Sequence, residues 1–458
     1  MTVRLRHLNQ LWGPPLGNKS CDFDSFLGRV STDTRTMLKG DFFVPLVGEK
    51  YDGHNFLDVV LTLGAQGFVA SRVPDLSLAE NLLYWIVEDT TKAYQQLGLL
   101  HRMSLGMPVI AVTGSAGKTT TRELIGAALS PLGDILCSSE NNNNKIGVPM
   151  TLLQGTQKHS AAVIEMGMRG LGEIEELSRF TQPDIAVITN IGNAHVGRLG
   201  SRGEIAKAKC EITSHLNPSG LVVIPYGDRL LDETLATFWN GRVKRVAISK
   251  DLSTLKDSHF EPDYIGNVDL GKGVLSFREQ QFNLPLEGLH NARNLMLAIA
   301  VAIELEVSLS MLKDLKVCLP AGRSRSIQFG QLTILDETYN ASPESVRASL
   351  ELLTTKPGRH FAVLGAMLEL GEYSQLFHHQ IGEMAVHLEL DGLVVVSQGD
   401  DAIALAKAAN KLPRLVVVDS VEEAIKPLLS WLSPGDTLLM KASREVGLEN
   451  LLNLLPNI

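Results

Sequence analysis

From Pro108 onwards, short apolar runs alternate with amphipathic stretches, and this alternation restricts the fold more than any other feature of the sequence. The first series of runs is VIAVTG, AAVIEMG, IAVITNIG and GLVVIP. A second series starts near Gly330 with QLTILDE, HFAVLGAM, GLVVVSQ, RLVVVD and DTLLMKAS. Continuous apolar runs are typical of parallel strands that helices cover on both faces. The sequence therefore predicts an α/β protein built on parallel sheets.

The pattern before Pro108 is more mixed and predicts a separate domain. GDFFVPLVG and QGFVASR are predicted strands, and FLDVVLTLGA is a predicted helix that ends at Gly64. A chain of 458 residues is long enough for about three domains, and CLPAGRSRS is the predicted second linker. We expect a small mixed α/β domain over 1–105, a central P-loop-type parallel-sheet ATPase domain over 106–320, and a Rossmann-like doubly wound domain over 321–458.

Composition excludes several classes of function. The net charge is −9 and no long basic run is present, which argues against nucleic-acid binding. No apolar run is long enough for a membrane span, and the N-terminus has no apolar signal region. The cysteines are far apart in the sequence, so neither a disulfide framework nor a zinc site is expected. We expect a cytoplasmic monomer.

The stretch VIAVTGSAGKTTTRELIG resembles a phosphate-binding loop that lacks one glycine. The common pattern is G-x-x-x-x-G-K-[ST], and Val112 occupies the position of its first glycine. A glycine-rich turn between a strand and a helix can still point backbone N–H groups at phosphate, so we predict a shorter nucleotide-binding loop. The alternative is an ordinary strand-to-helix turn. The predicted nucleotide contacts are Gly114, Ser115, Ala116, Gly117, Lys118, Thr119 and Thr120.

Further motifs follow in a fixed order along the chain. They are ENNNNKIGVPMTLL, AVIEMGMRGLGEI, PDIAVITNIGNAHVGRLGSRGEIAKAKCEI, GLHNARN, AGR, ILDETYNASPESV, LGAMLELGEYS and KASR. Together with TGSAGKTT, this order resembles the Mur ligase family, to which folylpolyglutamate synthetase is related. The departures from the family pattern are Glu140 at an expected glycine, Asn142 at an apolar position, Glu337 and Ala366 at aspartates, and Ala442 at a glycine.

The resemblance implies an ATP-dependent ligase that joins D-alanyl-D-alanine to UDP-N-acetylmuramoyl-tripeptide through an acyl phosphate. ATP and two Mg²⁺ ions are the implied cofactors. Two other ligations stay open, the preceding peptidoglycan step and folate polyglutamylation, although the early DTR and DGH segments argue against folate. A non-enzymatic P-loop protein is a further alternative. Such a protein would not need Glu165, His195 and Lys209 together.

The resemblance also implies the catalytic and metal-binding residues. Lys118 neutralises phosphate, and the implied metal ligands are Thr119, Glu165, His195 and Lys209. Glu165 and His195 each follow a predicted strand, where ligands bind in open α/β sheets. A structural histidine is the alternative for His195. Lys209 is implied to carry a carbamate, and the alternative is a solvated helix lysine that pairs with Glu204 or Glu211.

Substrate contacts are implied in all three predicted domains. Asn291 and Asn294 lie on one helical face and are implied to contact the nucleotide, with helix capping as the alternative for Asn291. Arg323 and Asp336 are implied to reach ATP on domain closure. The implied contacts of the dipeptide are Tyr339, Asn340 and Ser342. The implied contacts of the UDP-sugar are Thr34 and Arg35, with Asp52–His54 nearby. The implied contacts of the muramoyl peptide are Asn141, Asn143, Asn144 and Thr151. For Arg35 a surface salt bridge, and for the asparagines a plain loop, are the alternatives.

Overall fold

The predicted alternation of strands and helices is present in a computed structural model, which describes residues 2–17, 22–74, 82–252 and 260–455. Within these ranges the strands form three sheets of five, nine and six strands. The α/β class is therefore confirmed, and the three sheets agree with a three-domain architecture. No helix in the described ranges is long and apolar enough to cross a membrane.

The first sheet has the strand order β1-β5-β4-β3-β2 and is parallel except for the β1–β5 pair. Its neighbouring side chains alternate between two apolar clusters: Phe42 and Val69 pack with Trp85, whereas Phe43 and Phe68 pack in a second cluster. A sheet covered on both faces follows. Its elements are α1 (Leu5–Trp12), β1 (Leu16–Gly17), β2 (Val30–Ser31), β3 (Phe42–Phe43), α2 (Leu57–Thr62), β4 (Gly67–Ala70), β5 (Leu83–Ile86) and α3 (Thr90–Leu105).

The second sheet has the order β14-β13-β12-β11-β10-β9-β6-β8-β7. Its elements are β6 (Val109–Thr113), α4 (Lys118–Leu129), β7 (Asp134–Cys137), α5 (Gly147–Leu153), β8 (His159–Glu165), α6 (Glu173–Thr181), β9 (Ile185–Ile188), α7 (Val196–Leu199), α8 (Arg202–Cys210), β10 (Leu221–Pro225), α9 (Arg229–Phe238), β11 (Arg242–Ile248), α10 (Ser249–Leu252), β12 (Tyr264–Asp269), β13 (Val274–Phe277), β14 (Gln280–Asn283) and α11 (Leu289–Glu304).

Strand pairing in this sheet is parallel from β9 to β12 and antiparallel in the ribbon β12–β13–β14. The predicted strand IAVITNIG is shorter than expected, because β9 ends at Ile188 and the chain continues as a loop. The helix α11 is almost wholly buried, as its long apolar sequence predicts. The loops that follow β6 and β9 carry most of the residues discussed below.

The third sheet has the order β15-β16-β20-β17-β18-β19, in which only β15 is antiparallel to its neighbour. The predicted linker CLPAGRSRS is two residues shorter than expected, because Arg325 and Ser326 begin β15. Its elements are β15 (Arg325–Phe329), β16 (Leu332–Glu337), α12 (Pro343–Leu353), β17 (His360–Gly365), α13 (Ser374–His387), β18 (Gly392–Val396), α14 (Gly399–Ala408), β19 (Leu415–Val418), α15 (Ile425–Trp431), β20 (Thr437–Lys441) and α16 (Leu451–Leu454).

The chain divides into two compact units. The first consists of 1–111, 132–166 and 176–184, and the second of 112–131, 167–175 and 185–458. The first unit contains the whole five-stranded sheet, and the second contains the whole six-stranded sheet. The domain boundaries predicted at 105/106 and 320/321 stay predictions.

Candidate active site

The turn between β6 and α4 has the backbone conformation of an anion-binding loop. Gly114 and Gly117 both have positive φ angles, 149° and 77°. A side chain at Gly114 would collide with the Thr189 hydroxyl, so only glycine fits there. The helix α4 begins at Lys118, directly after the turn, and its first N–H groups have no partner within the helix. Such a helix N-terminus favours a bound phosphate.

Lys118 folds back over this loop. Its Nζ donates to the carbonyl of Gly114 at 2.9 Å. The next residue, Thr119, is buried, with 1% of its surface exposed. The ammonium therefore lies beside the glycine turn, where it can neutralise a phosphate, as the sequence pattern predicts.

The loop after β9 holds the glycine turn in shape. The Ala116 N–H donates to Oδ1 of Asn190 at 3.0 Å, and the Ala116 carbonyl accepts from Nδ2 of the same asparagine at 3.0 Å. The Ser115 hydroxyl accepts from the Gly192 N–H at 2.9 Å. Sequence reasoning missed Thr189 and Asn190, because both lie far from the turn along the chain and within the predicted strand IAVITNIG.

His195 follows in the same loop and precedes α7. Its backbone is left-handed, with φ 67°. Burial, with the cations of Lys118 and Lys209, lowers the pKa of His195 to about 4, although Glu369 acts in the opposite direction. The imidazole is therefore neutral at pH 7, which is the form that binds metal ions. Its Nδ1 is in direct contact with Oε2 of the Glu369 carboxylate, at an angle that does not meet the geometry of a hydrogen bond.

Lys209 is buried in α8, with 1% of its surface exposed. The interpretation of Lys209 as a solvated helix lysine is therefore wrong. Lys207, two residues earlier in the helix, is the solvated lysine. It pairs with Glu204 at 2.7 Å, and its side chain is 55% exposed. The Glu211 carboxylate instead accepts from the N–H of Gly172 at 2.7 Å. The charges of Lys118 and Lys209 both lower the pKa of His195, so the three side chains are close enough to interact electrostatically.

Glu165 ends β8 and belongs to the first compact unit. It is 2% exposed. Its Oε1 accepts from Nδ2 of Asn143 at 2.9 Å, and its N–H donates to the Ser138 hydroxyl at 3.0 Å. A direct hydrogen bond, which the sequence did not predict, thus joins the asparagine segment to Glu165 at the strand end.

The donor chemistry of the predicted ligands fits magnesium. In the described parts of the chain, no group of three or more His, Cys, Asp or Glu side chains could hold a metal ion. The predicted ligands are not such a group: they are the Thr119 hydroxyl, the Glu165 carboxylate, the neutral His195 ring and a carbamate on Lys209, and their grouping stays a prediction. Mg²⁺ prefers oxygen ligands and keeps several waters, so few protein ligands are needed. An unmodified Lys209 would not fit, because an ammonium repels a cation.

Asn294 lies directly against the glycine turn. A Cβ at Gly117 would be 3.2 Å from the Asn294 amide, and Asn294 is 7% exposed. Asn291 does not cap α11, because the N-cap residue is Gly288 and Nδ2 of Asn291 donates to the Glu287 carbonyl at 2.7 Å. The capping alternative for Asn291 is therefore wrong, and nucleotide contact stays the prediction for both residues.

Asp336 organises its own surroundings. Its Oδ1 accepts from the Thr338 hydroxyl at 2.7 Å, and its Oδ2 accepts from the Gly322 N–H at 3.2 Å. It thereby joins the end of β16 to the residue before Arg323. The guanidinium of Arg323 stacks on the Tyr339 ring at 3.7 Å, and Arg444 lies over the same ring at 5.1 Å. Arg444 is the last residue of the KASR motif, but its role in this stack was not predicted from the sequence.

A buried ion pair lies beside this stack. Nζ of Lys441 is 3.5 Å from Oε2 of Glu337, and the two residues are register partners in β20 and β16. Burial lowers the pKa of Lys441, and Glu337 acts in the opposite direction. The glutamate that replaces an expected aspartate therefore keeps a charge that a buried lysine needs.

The other predicted dipeptide contacts have structural roles. Ser342 is the N-cap of α12 in a capping box with Ser345. Oδ1 of Asn340 accepts from the Ala341 N–H at 2.9 Å. His378 is buried in α13, and its Nε2 accepts from the Met367 N–H at 3.0 Å.

In the first unit, the predicted UDP-sugar residues lie in a turn after β2. Arg35 pairs with Asp33 at 2.6 Å, and its side chain is 87% exposed. This is the surface salt bridge that was the alternative for Arg35, and it leaves the guanidinium accessible. Thr34 lies between the two and is partly buried. His54 is held by Asp52 at 2.6 Å through Nδ1.

The predicted muramoyl-peptide residues surround the start of α5. Oδ1 of Asn144 accepts from the N–H groups of Ile146 and Gly147, both at 3.0 Å, and the Thr151 hydroxyl donates to the Gly147 carbonyl at 3.0 Å. The Asn141 carbonyl accepts from the Asn143 N–H at 2.7 Å. Glu140 has a φ of 47°, which explains why a glycine was expected there.

Comparison with known proteins gives matches along almost the whole chain. The family model described as Mur ligase middle domain matches residues 112–302, and that described as Mur ligase, glutamate ligase domain matches residues 322–444. The UDP-N-acetylmuramoyl-tripeptide–D-alanyl-D-alanine ligase of Synechocystis is 42% identical over 93% of this chain and 91% of its own. The ligase of the same name from Bacillus subtilis is 35% identical over 92% of each.

Solved structures give the same result. A crystal structure of MurF from Acinetobacter baumannii has a TM-score of 0.86 and 32% identity over 98% of both chains. MurF from Thermotoga maritima in complex with ADP has a TM-score of 0.80 and 28% identity, over 93% of this chain and 96% of that one.

Proposed function

Because this chain belongs to the Mur ligase family, we propose that it joins D-alanyl-D-alanine to UDP-N-acetylmuramoyl-tripeptide in peptidoglycan synthesis, converting ATP to ADP and phosphate. The relatives that carry this activity in their names cover more than nine-tenths of the chain. The observation that carries the proposal is the glycine turn with Lys118 folded over it and the neutral His195 in the same electrostatic environment.

The reaction needs an activated carboxyl group. The terminal carboxylate of the tripeptide attacks the γ-phosphorus of ATP, and the bond from that phosphorus to the oxygen of ADP breaks. The free amine of D-alanyl-D-alanine then attacks the acyl carbon, loses a proton, and releases inorganic phosphate. The first step brings two anions together, so alignment and charge neutralisation supply most of the catalysis. In this chain Lys118 and the N–H groups of the glycine turn are the groups suited to that task.

Bound Mg²⁺ would supply further positive charge to the phosphate oxygens. The residues that would hold it are Thr119, Glu165, His195 and Lys209. Asn294, packed against Gly117, would keep the turn in shape and contact the nucleotide. Arg323 and Asp336 would complete the ATP site, while Tyr339, Asn340 and Ser342 would lie near the incoming dipeptide.

Lys209 would act as a carbamate. Its neutral amine adds to the carbon of CO₂, and one proton is released, which leaves an anionic oxygen ligand on a long side chain. The support comes from the burial of Lys209, because a lysine with only a surface role would not need to be 1% exposed. A metal site also requires that the charge of its ligands balance the cation.

Phosphate release by the purified protein tests the proposed function. The assay contains ATP, Mg²⁺ and UDP-N-acetylmuramoyl-tripeptide, with or without D-alanyl-D-alanine. We expect release that depends on both substrates, together with a product whose mass equals that of the joined peptide. A single amino acid in place of the dipeptide is the control. Release that is supported equally well by this control would contradict the assignment of the dipeptide.

We also propose that the protein acts as a cytoplasmic monomer. Light scattering coupled to size-exclusion chromatography would detect a dimer directly, and fractionation of the source cells would test the location. Neither property enters the argument for the reaction.

A further inference from the structure

Two tight turns of the second compact unit touch each other. One contains His195–Arg198, after β9, and the other contains Glu369–Gly371, after β17. Each turn begins with a non-glycine residue in the left-handed region, at φ 67° for His195 and 63° for Glu369. A Cβ on Gly371 would lie 2.7 Å from Cα of Gly197, so the two backbones meet at glycines. Contact this close fixes one turn against the other.

The backbone carbonyl of Glu369 and both of its carboxylate oxygens contact the turn that contains His195. Its backbone carbonyl accepts from the Gly197 N–H at 3.0 Å. Its Oε1 accepts from Nε of Arg198 at 3.1 Å, and its Oε2 is in ion-pair contact with Nδ1 of His195. A left-handed glutamate is strained in its backbone and persists only where its surroundings determine it. Here three contacts determine it.

The two turns belong to segments that different family models match. His195 lies within 112–302 and Glu369 within 322–444. A second bridge joins the same segments, because Oε1 of Glu344 accepts from the N–H of Asn193 at 2.8 Å and from its Nδ2 at 2.6 Å. The loop that carries His195 is thus held twice from the C-terminal segment.

We propose that Glu369 is a positioning residue for His195: it keeps the ring proton on Nδ1 and leaves Nε2 unprotonated as the nitrogen available to a metal ion. This inference rests on the proposed function for its purpose. Histidines that bind metal ions usually donate their other ring N–H to a carboxylate, which fixes the tautomer and the orientation of the ring. A carboxylate from a distant part of the chain contacts Nδ1 of His195, at an angle that does not yet meet the geometry of a hydrogen bond.

The consequence is that the contact between the Glu369 turn and the His195 turn also sets whether Nε2 of His195 can bind a metal ion. The His195 ring has its partner only while the Glu369 turn is docked, so the histidine is prepared at the moment when the C-terminal segment is in place. A purely structural latch would hold the turns together without setting the tautomer. Arg198 separates the two roles, because it binds the same carboxylate but does not contact Nδ1 of His195 through any described hydrogen bond.

The test measures the tautomer of His195 in the full chain by ¹⁵N nuclear magnetic resonance of histidine-labelled protein, without substrates. The His195 signals are those lost in His195→Gln. We expect the Nδ1–H tautomer in the wild type and in Arg198→Ala, and its loss in Glu369→Ala. Glu369→Gln, which keeps an acceptor, should restore it in part. An unchanged Nδ1–H tautomer in Glu369→Ala overturns the proposal. If Glu369→Ala does not fold, Glu369→Met, which keeps the side-chain length without an acceptor, decides in the same way.

Magnesium dependence gives a second readout. We expect Glu369→Ala to raise the Mg²⁺ concentration for half-maximal phosphate release by roughly 10- to 100-fold, the usual effect of removing such a carboxylate. Arg198→Ala should change it by no more than about threefold, a shift of the size expected for an exposed ion pair. Equal shifts in both variants would mean a simple latch and would overturn the proposal. If the wild type shows no dipeptide-dependent release, the proposed function fails, but the tautomer experiment still decides the role of Glu369.

Discussion

Two lysines of α8 differ in environment although they are two residues apart. Lys209 is 1% exposed, whereas the Lys207 side chain is 55% exposed and pairs with Glu204. We expect Lys209→Ala to reduce phosphate release by at least ~100-fold, on the scale of losing one preorganised electrostatic group. Lys207→Ala is the matched control and should retain activity.

Small carboxylates distinguish a carbamate from a simple ammonium at this position. If Lys209 supplies oxygen ligands, acetate or formate should partly restore activity to Lys209→Ala by filling the vacated space. Alkylamines would restore activity instead if the ammonium were the working form. Normal turnover of Lys209→Ala without any addition would rule out the carbamate.

Lys118 should be needed for catalysis and dispensable for the fold. Its described hydrogen bond goes to the Gly114 carbonyl at 2.9 Å, on a partly exposed loop. We expect Lys118→Ala to lower kcat by roughly 100- to 1,000-fold. The free energy of unfolding, measured by denaturant titration, should change by less than ~1 kcal/mol. A folded variant with near-normal kcat would contradict the phosphate-binding role of the loop.

For single residues, the sequence predicted the phosphate-binding loop better than it predicted which distant residues contact each other. The pattern from Gly114 to Thr119 indicated the loop, because its spacing is local. Asn190 and Glu369 were missed, because each acts on a residue far away in the chain: Asn190 on Ala116 and Glu369 on Arg198, 171 positions apart. Nothing in the local sequence distinguishes such a glutamate from a solvated one.

The helix α3 carries a buried histidine that should make the fold sensitive to acid. His101 is 1% exposed, and its Nε2 donates to the Gly155 carbonyl at 2.8 Å. Burial lowers its pKa, and the hydrogen bond to Gly155 opposes that effect. The unfolded chain takes up a proton near pH 6.5, while the folded chain does not. Stability is therefore complete above that pH and falls as the pH decreases towards the lower folded pKa.

The expected result is a weaker pH dependence in His101→Gln. Denaturant titrations at several pH values between 7.5 and 5 should show a smaller loss of unfolding free energy on acidification than the wild type shows. His379→Gln is the control, since the His379 side chain is 41% exposed. Identical pH profiles for the wild type and His101→Gln would mean that His101 does not contribute.

Element predictions succeeded where the apolar pattern was long. The predicted strands VIAVTG and GLVVVSQ contain β6 and β18, and the predicted strand QGFVASR contains β4. The end of α2 before Gly64 was also predicted, and Gly64 has a φ of 73°. The ribbon β12–β14 was not predicted, because only alternate residues such as Val268, Leu275 and Phe282 are buried there and its strands are short.

At the level of the whole molecule, Asp336 tests whether the third sheet contributes to ATP binding. Its carboxylate accepts from Gly322 and Thr338, so it could act on ATP directly or only shape its loop. We expect Asp336→Ala to raise the KM for ATP by roughly tenfold or more, as loss of a charged hydrogen-bond partner does. Thr338→Val is the control, because it removes a donor and keeps the carboxylate. Equal KM values in both variants would indicate a loop-shaping role alone.

The strand order of the third sheet has a consequence for how the chain reaches its native state. β20 lies between β16 and β17, and Leu438 is the register partner of both Ile334 and Phe361. The strands β16 and β17 are synthesised early but do not pair with each other. Both pair with β20, which is synthesised much later. Contacts between distant parts of a chain slow folding, because the loop must close before any contact forms. The centre of this sheet therefore cannot form before β20 has been synthesised, and until then the edges of β16 and β17 that face β20 lack their partner strand.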